Sequence, residues 1–285
     1  MSFDTVRTVD ALRASIAPWH EAGQAVGLVP TMGALHDGHL ALVGASRISC
    51  VRTVVTIFVN PAQFGPSEDL VRYPRREAED AEILRSLGVD LLYAPPVSEV
   101  YRPGFATRIT VGSLADRLEG AHRPDHFTGV ATVVAKLLLQ ARPQRAFFGE
   151  KDFQQLQVVR RMAADLDIPV DVVGVETVRE PDGLALSSRN EFLSPAERAV
   201  APALNRTLCA VANAVSDGVD CQAEAARGAE ALIASGFDKI DYLAVVDAQS
   251  FEPIGKIARR PARALAAGFL GKTRLIDNVA IPPAA

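Results

Sequence analysis

Cysteine is scarce in this chain: Cys50, Cys209 and Cys221 are its three thiols among 285 residues, odd in number and far apart. That pattern fits reduced thiols of a cytoplasmic protein better than a disulfide framework or a zinc site. An excess of positive charge is also lacking. Thirty basic against 34 acidic residues give a net charge of −4, whereas a nucleic-acid-binding surface is usually basic. No run of 18 apolar residues occurs, so no membrane-spanning helix is expected. The N-terminal stretch Met1–Arg7 has no apolar core of signal-peptide length. Internal repeats and low-complexity tracts are missing as well. The expectation is a soluble cytoplasmic protein with no nucleic-acid or membrane partner.

What is present is 48% apolar residues, enough for one large domain or two modest ones. Strand-like and helix-like segments alternate through the first 177 or so residues. Ala25–Val29, Val51–Val59, Val89–Tyr93, Arg145–Phe148 and Val170–Val175 read as strands, by their apolar and β-branched runs. His39–Ser49, Glu77–Leu87, Val130–Gln140 and Asp152–Leu166 read as helices, the last with Phe153, Leu156, Val159, Met162 and Leu166 on one face. Asp152 stands where a carboxylate would cap that helix. Such alternation predicts an α/β fold with a doubly wound parallel sheet, whose ligands sit beyond the carboxyl ends of the strands. After Arg179 the texture changes. Ser194-Pro195-Ala196-Glu197 has the order of cap, proline and acid that starts a helix. Ala-rich helices follow to about Ser235, and strands over Ile240–Val246, Ala262–Leu270 and Thr273–Ile276 complete a smaller α+β domain. The predicted domains are 1–177 and 178–285.

Three stretches carry the chemistry. Pro30–His39 (PTMGALHDGH) sets two histidines three apart at a helix start, where they can point the same way. A metal pair, a structural turn and a phosphate site are the three readings. The last is preferred, with His36 and His39 hydrogen-bonding ATP phosphates during attack at the α-phosphorus, and Gly33 and Gly38 allowing close approach. Phe148–Gln155 (FGEKDFQQ) puts Lys151 at a strand-to-helix junction beside Gly149, where an ammonium can neutralise phosphate charge. There Asp152 caps the helix or binds ribose or a metal-bound water. Asp182–Asn190 (DGLALSSRN) offers two hydroxyls and a guanidinium, which suit a phosphate clamp; a plain polar turn is the alternative. Asn60-Pro61-Ala62-Gln63-Phe64 places two amides after a strand, suited to hydroxyl and carboxylate recognition. Arg123–Phe127 reads by itself as a surface loop. Three phosphate-suited junctions in one chain point to an ATP-using enzyme.

Taken together, PTMGALHDGH, FVNPAQF, LEG..RP.HF, FFGEKDFQQL, DGLALSSRN and the late TRLIDN resemble the pantoate–β-alanine ligase family, the pantothenate synthetases, within the HxGH nucleotidyltransferases. The likeness runs through nearly the whole chain in the family's order. It implies a Rossmann-like N-terminal domain, a smaller C-terminal lid domain and a homodimer. It also implies condensation of (R)-pantoate with β-alanine, driven by ATP and Mg²⁺ through a pantoyl adenylate. Position by position, the resemblance assigns catalysis to His39, to which the reading of the residues adds His36 and Lys151, and it assigns ATP contacts to Met32, Gly33, His36, His39, Gly149, Lys151, Asp152, Val178, Leu186, Ser187, Ser188 and Arg189. Gln63 and Gln155 match the pantoate-binding glutamines, and Asn60, Tyr73 and Arg123 lie near the site in relatives. No metal ligand is assigned; Asp80, on the Glu77–Leu87 helix, is a candidate to hold Mg²⁺ through water. Two departures stand out: Asp125 where many relatives have glycine, which puts the shape of the Arg123 loop in doubt, and Leu186 where some have methionine. Another nucleotidyltransferase, a silent nucleotide sensor and a metal-dependent hydrolase are the competing functions.

Overall fold

Val26, Leu28, Val29, Val54 and Val55 are all fully buried, as expected of strands covered on both faces of a parallel sheet. The computed structural model describes residues 3–65, 70 and 73–283. The chain divides into two compact units. The first is built from Met1–Asp116, Arg123–Glu150 and Gln155–Glu176, the second from Arg117–His122, Lys151–Gln154 and Thr177–Ala285.

The first unit begins with β1 (Asp4–Val6) and α1 (Val9–Glu21), then β2 (Val26–Thr31), α2 (Asp37–Ser49) and β3 (Arg52–Ile57). It continues through α3 (Glu77–Ser86), β4 (Leu91–Tyr93) and α4 (Val97–Val100). The short α5 (Glu119–His122) counts with the second unit. The first unit then resumes with α6 (His126–Ala141), β5 (Arg145–Gly149), most of α7 (Phe153–Asp165) and β6 (Asp171–Val175). The sheet order is β1-β4-β3-β2-β5-β6, with every pairing parallel. Strand order reverses between β2 and β5, so the crevice beyond their carboxyl ends is the topological switch point. The Met32–His39 segment follows β2 directly, and β5 ends at Gly149. This is the doubly wound, Rossmann-like sheet expected from the alternation.

The second unit holds α8 (Pro195–Val200), α9 (Ala203–Ser216), α10 (Cys221–Ala234), β7 (Lys239–Asp247), β8 (Ala262–Leu270) and β9 (Thr273–Ile281). Its three strands are antiparallel in the order β7-β8-β9. Ala262, Ala264 and Ala266 share one face of β8, and their small side chains form one core with Leu204, Leu208, Val211 and Val215 of α9 and Leu232 of α10. The predicted start of α8 is present in full: Ser194 Oγ accepts the Glu197 N–H at 3.3 Å, and Glu197 Oε2 accepts the Ser194 N–H at 2.7 Å.

Several boundaries differ from expectation, each for a physical reason. Helix α6 starts at His126 rather than Val130, because buried His126 and a Thr inside the first turn hide the apolar pattern. Asp152 stands directly before α7, which begins at Phe153. A 3-10 turn over Glu150–Asp152 runs straight into the helix, so the chain is wound from Glu150 on, two residues ahead of the expected start. Strand β9 continues five residues past Ile276 because Asp277 and Asn278, though polar, are 3% exposed and fully engaged. Helix α1 carries Pro18 inside its last turns and a mixed face, which masks it in the sequence. Among the described residues, no helix is long and apolar enough to cross a membrane.

Candidate active site

In the first unit the chain leaves β2 through two residues of left-handed backbone, Gly33 at φ 82° and Ala34 at φ 51°. Asp80 of α3, 2% exposed, holds this bend: Oδ2 accepts the Ala34 N–H at 2.8 Å and Oδ1 the Leu35 N–H at 2.9 Å. A carboxylate so placed answers two backbone donors that a tight turn otherwise leaves unpaired. Both its oxygens therefore hold the loop.

The bend delivers His36 to the N-cap of α2. Its Nδ1 accepts the Gly38 N–H at 3.2 Å, while the His36 N–H points to Nδ1 of His39 at 3.4 Å. The two rings stand 4.2 Å apart between centroids, tilted by 44°. A ring whose Nδ1 accepts carries its proton on Nε2 when neutral, so both imidazoles have Nε2–H as a donor. Among the described residues, no group of three or more His, Cys, Asp or Glu side chains is placed to hold a metal ion. The metal-pair reading of these histidines has no support here.

Beyond β3, Asn60 caps a short 3-10 turn over Pro61–Gln63. It is 1% exposed. Its Oδ1 accepts from the Ala62 N–H (3.2 Å) and the Tyr101 hydroxyl (2.7 Å); its Nδ2 donates to Gln63 Oε1 (3.0 Å) and to the Gly129 carbonyl (3.1 Å). All four hydrogen-bonding positions of this amide are thus used inside the protein. Gln63 Nε2 lies 3.2 Å from Met32 Sδ, which joins this turn to the Met32–His39 segment. Met32 and Gln63 are half-buried. Tyr73 meets Phe64 edge-on with centroids 6.0 Å apart.

The segment read as a surface loop is only partly one: Pro124 and Asp125 are exposed and Arg123 half-buried, while His126 and Phe127 are buried. Asp125 adopts φ 64°. This is left-handed backbone, the conformation that glycine adopts most readily. His126 Nδ1 lies 2.9 Å from the Gln63 carbonyl and its Nε2 3.1 Å from Arg123 Nη1. Gln155 sits half-buried on the first turn of α7. A Cβ added at Gly149 would meet nothing within 4 Å.

In the second unit, Lys151 lies on the 3-10 turn, its side chain 16% exposed and its Nζ 3.8 Å from Asp152 Oδ1. Asn278 of β9 donates from Nδ2 to the Lys151 carbonyl at 2.9 Å and accepts from Arg263 Nε at 2.7 Å. Its neighbour Asp277 takes both arms of Arg179, at 2.7 and 2.9 Å. Burial works against charge on Arg179, yet the hydrogen bonds and charge of Asp277 prevail and raise its pKa. Gln154 spends its amide on the Arg117 carbonyl (2.8 Å) and the Glu119 N–H (3.1 Å), so it is structural.

The stretch after Arg179 folds back on itself: Leu186 N–H donates to the Val178 carbonyl (3.0 Å) and Gly183 N–H to the Glu180 carbonyl (2.8 Å). Ser187 then caps a 3-10 turn over Ser188–Phe192, accepting the Arg189 N–H at 3.3 Å. Ser187 and Ser188 are half-buried and Arg189 is exposed. The structure thus groups Met32, Gly33, His36, His39, Asn60, Gln63, Tyr73, Arg123, Gly149 and Gln155 in the first unit. Lys151, Asp152, Val178 and Leu186–Arg189 belong to the second. Tyr101, His126 and Asn278 are polar residues that hold these groups and to which the sequence reading gave no role, while Asp80, read as a Mg²⁺ candidate through water, braces the loop. For His126 a signal was present, since it is the histidine of the LEG..RP.HF stretch.

The family model for pantoate-beta-alanine ligases matches residues 4–280. A pantothenate synthetase of Rhizorhabdus wittichii is 57% identical over 279 residues, 98% of this chain and 99% of that one. The pantothenate synthetase structure of Thermus thermophilus is 52% identical, with a TM-score of 0.92 over 99% of this chain and all of that one. The pantoate-beta-alanine ligase of Francisella tularensis, described as complexed with beta-gamma ATP and beta-alanine, is 32% identical with a TM-score of 0.82, covering 98% and 97% of the two chains. On a match of this extent, carried by sequence and fold alike, the chain belongs to the pantoate–beta-alanine ligase family and is an enzyme of that class.

Proposed function

We propose that the enzyme joins (R)-pantoate to β-alanine in two steps at the expense of ATP, releasing AMP and pyrophosphate. A carboxylate is a poor electrophile, because attack adds charge to a group already anionic. In the first step a pantoate carboxylate oxygen attacks the α-phosphorus, the bond to the bridging oxygen breaks, and pyrophosphate leaves with that electron pair. The product is pantoyl adenylate. In the second step the neutral amine of β-alanine attacks the activated carbonyl and AMP departs with the C–O electron pair.

The observation that carries this reading is the His36–His39 pair at the head of α2, where both Nδ1 atoms face backbone donors. That leaves Nε2–H as the donor on each neutral ring, and we read these donors as serving phosphate oxygens where charge accumulates. Met32, Gly33, Gly149, Asp152, Val178 and Leu186 belong with the same nucleotide. The open space around Gly149 fits close approach of a ligand to the backbone. Lys151, Ser187, Ser188 and Arg189 are read as further donors to the phosphates. Gln63 and Gln155 are read as pantoate contacts, with Tyr73 and Arg123 nearby. Asn60 acts on Gln63 instead of on substrate, because its amide is spent internally.

With no metal-binding group among the described residues, Mg²⁺ is read as part of the ATP substrate, held by phosphate oxygens and water. No protein ligand is assigned to it. The β-alanine amine, with a pKa of about 10 like that of lysine, must shed a proton as it attacks, and a phosphate oxygen or water serves. Orientation of the two reactants is worth about 7–11 kcal/mol of barrier. The units 1–177 and 178–285 are read as the substrate-binding domain and a smaller closing domain, in a cytoplasmic homodimer.

The test is pyrophosphate release with Mg·ATP, with and without (R)-pantoate, before β-alanine is added. Pantoate-dependent release of about one equivalent per site, followed by turnover on adding β-alanine, is expected. Release independent of pantoate, with ATP binding intact, would refute the adenylate route.

A further inference from the structure

Two backbone groups decide which way the Asn60 amide faces. The Ala62 N–H only donates and the Gly129 carbonyl only accepts, so Oδ1 must meet the first (3.2 Å) and Nδ2 the second (3.1 Å). Flipping the amide would set two buried pairs of like sign against each other. Tyr101 agrees with this orientation: burial pushes its hydroxyl up to about 12, so it remains a donor to Oδ1 at 2.7 Å. The second Nδ2 proton then points at Gln63. The atom of Gln63 that faces it at 3.0 Å must be the oxygen, and the Gln63 NH2 group must lie on the other side, where the weakly accepting Met32 sulfur is 3.2 Å away.

A second grip acts on the Gln63 main chain. The Gln63 carbonyl accepts, so Nδ1 of buried His126 carries the hydrogen of their 2.9 Å contact. The Arg123 guanidinium has donors alone, so Nε2 of His126 accepts from it at 3.1 Å. Together these contacts require the neutral Nδ1–H tautomer of His126.

We propose that Asn60 and His126 are positioning residues that fix which way the Gln63 amide faces, so that its NH2 group, turned away from Asn60, is the part offered to an oxygen acceptor on pantoate. The proposal rests on the reading of Gln63 as a pantoate contact. The chain of fixed signs runs from the backbone at Ala62 and Gly129, through Asn60, to the Gln63 NH2. Asn60→Asp keeps an acceptor for Ala62 but sets an oxygen against Gln63 Oε1, which turns the Gln63 amide round. His126→Leu removes the main-chain grip, and His126→Asn restores it, because the Asn amide sets an NH2 donor near the position of Nδ1.

The test is steady-state kinetics, with KM measured separately for (R)-pantoate and ATP, on the wild type and on Gln63→Ala, Asn60→Asp, His126→Leu and His126→Asn. The expected result is a rise of about tenfold or more in the pantoate KM for Asn60→Asp. The ATP KM should stay within about twofold, the scale expected where no nucleotide contact is lost. His126→Leu should raise the pantoate KM too, and His126→Asn should recover most of the loss. Should Asn60→Asp fail to fold, the two His126 variants decide. A rise for Gln63→Ala alone, with the Asn60 and His126 variants behaving as wild type, would overturn the positioning role and leave the pantoate contact standing. Unchanged pantoate dependence in Gln63→Ala would overturn the contact itself, and the inference with it. Equal rises in both KM values for Asn60→Asp and His126→Leu would show a general packing role and would also overturn it.

Discussion

Asp80 Oδ2 accepts the backbone N–H of Ala34 at 2.8 Å, so a carboxylate 46 residues further along the chain braces the bend that presents the two histidines. The second oxygen does the same for Leu35. Asp80→Asn has one acceptor for two donors and turns an NH2 group on one of them. It should cost about 1–3 kcal/mol of stability and raise the ATP KM. Urea unfolding of wild type and variant checks the first, and a loss under 0.5 kcal/mol would show that the brace is dispensable.

Gly129 faces the Asn60–Gln63 turn so closely that a Cβ would lie 2.2 Å from the Ala62 carbonyl oxygen and 2.7 Å from the Gln63 nitrogen. These are backbone atoms and cannot swing aside. Gly129→Ala should therefore destabilise by about 1–3 kcal/mol and weaken use of pantoate more than of ATP. Thermal unfolding together with pantoate titration would expose a wrong expectation as an unshifted midpoint.

Asp125 occupies left-handed backbone at φ 64° and its side chain makes no cap bond to α6. Asp125→Gly should be neutral to stabilising, within about 1 kcal/mol, since relief of strain offsets the added freedom of the unfolded chain. Asp125→Val should cost about 1–2 kcal/mol. Equal stability of the two variants would contradict the backbone argument.

Burial holds the phenols of Tyr93 and Tyr101 up to about 12. A raised folded pKa means that the native state keeps protons the unfolded chain gives up near pH 10. Their contribution is thus complete below pH 10 and is lost as pH rises toward 12. Unfolding free energy should be flat to about pH 10 and then decline, with Tyr93→Phe and Tyr101→Phe each softening the decline. A profile in these variants identical to wild type up to pH 12 would count against it.

Arg179 and Asp277 form a two-pronged pair in which Asp277 is 3% exposed. Arg179→Leu leaves a buried carboxylate unpaired and should cost about 3–5 kcal/mol. Adding Asp277→Leu should recover much of that loss, because the uncompensated charge disappears. A double-mutant cycle measures both, and additivity of the two losses would rule the coupling out.

Where apolar period and turn chemistry coincide, the sequence was readable: β2, β3, α7 and the Ser194 cap lie close to where their residues put them. It failed where a polar residue is buried with a partner distant in sequence. His126 looked like loop, yet it starts α6 with its ring between Gln63 and Arg123. Asp277 and Asn278 looked like the end of a strand, because nothing local reveals Arg179, Arg263 or the Lys151 carbonyl as their partners. For the candidate site, residue types at sheet ends pointed to His36, His39 and Gln63, which the structure sets just beyond β2 and β3. Which of their atoms face inward depends on pairings such as Asp80 with Ala34, and these are legible only in three dimensions.

The Nδ1 atoms of His36 and His39 close the first turn of α2 on themselves, which constrains substitution before any question of rate arises. Asparagine carries an oxygen near the place of Nδ1 and would keep the turn, but it has nothing at the position of Nε2. Glutamine reaches the outer position and abandons the inner one. If each side chain serves as both bracket and instrument, as proposed above, an alanine variant reports the two losses summed, and the asparagine–glutamine pair is what separates architecture from chemistry.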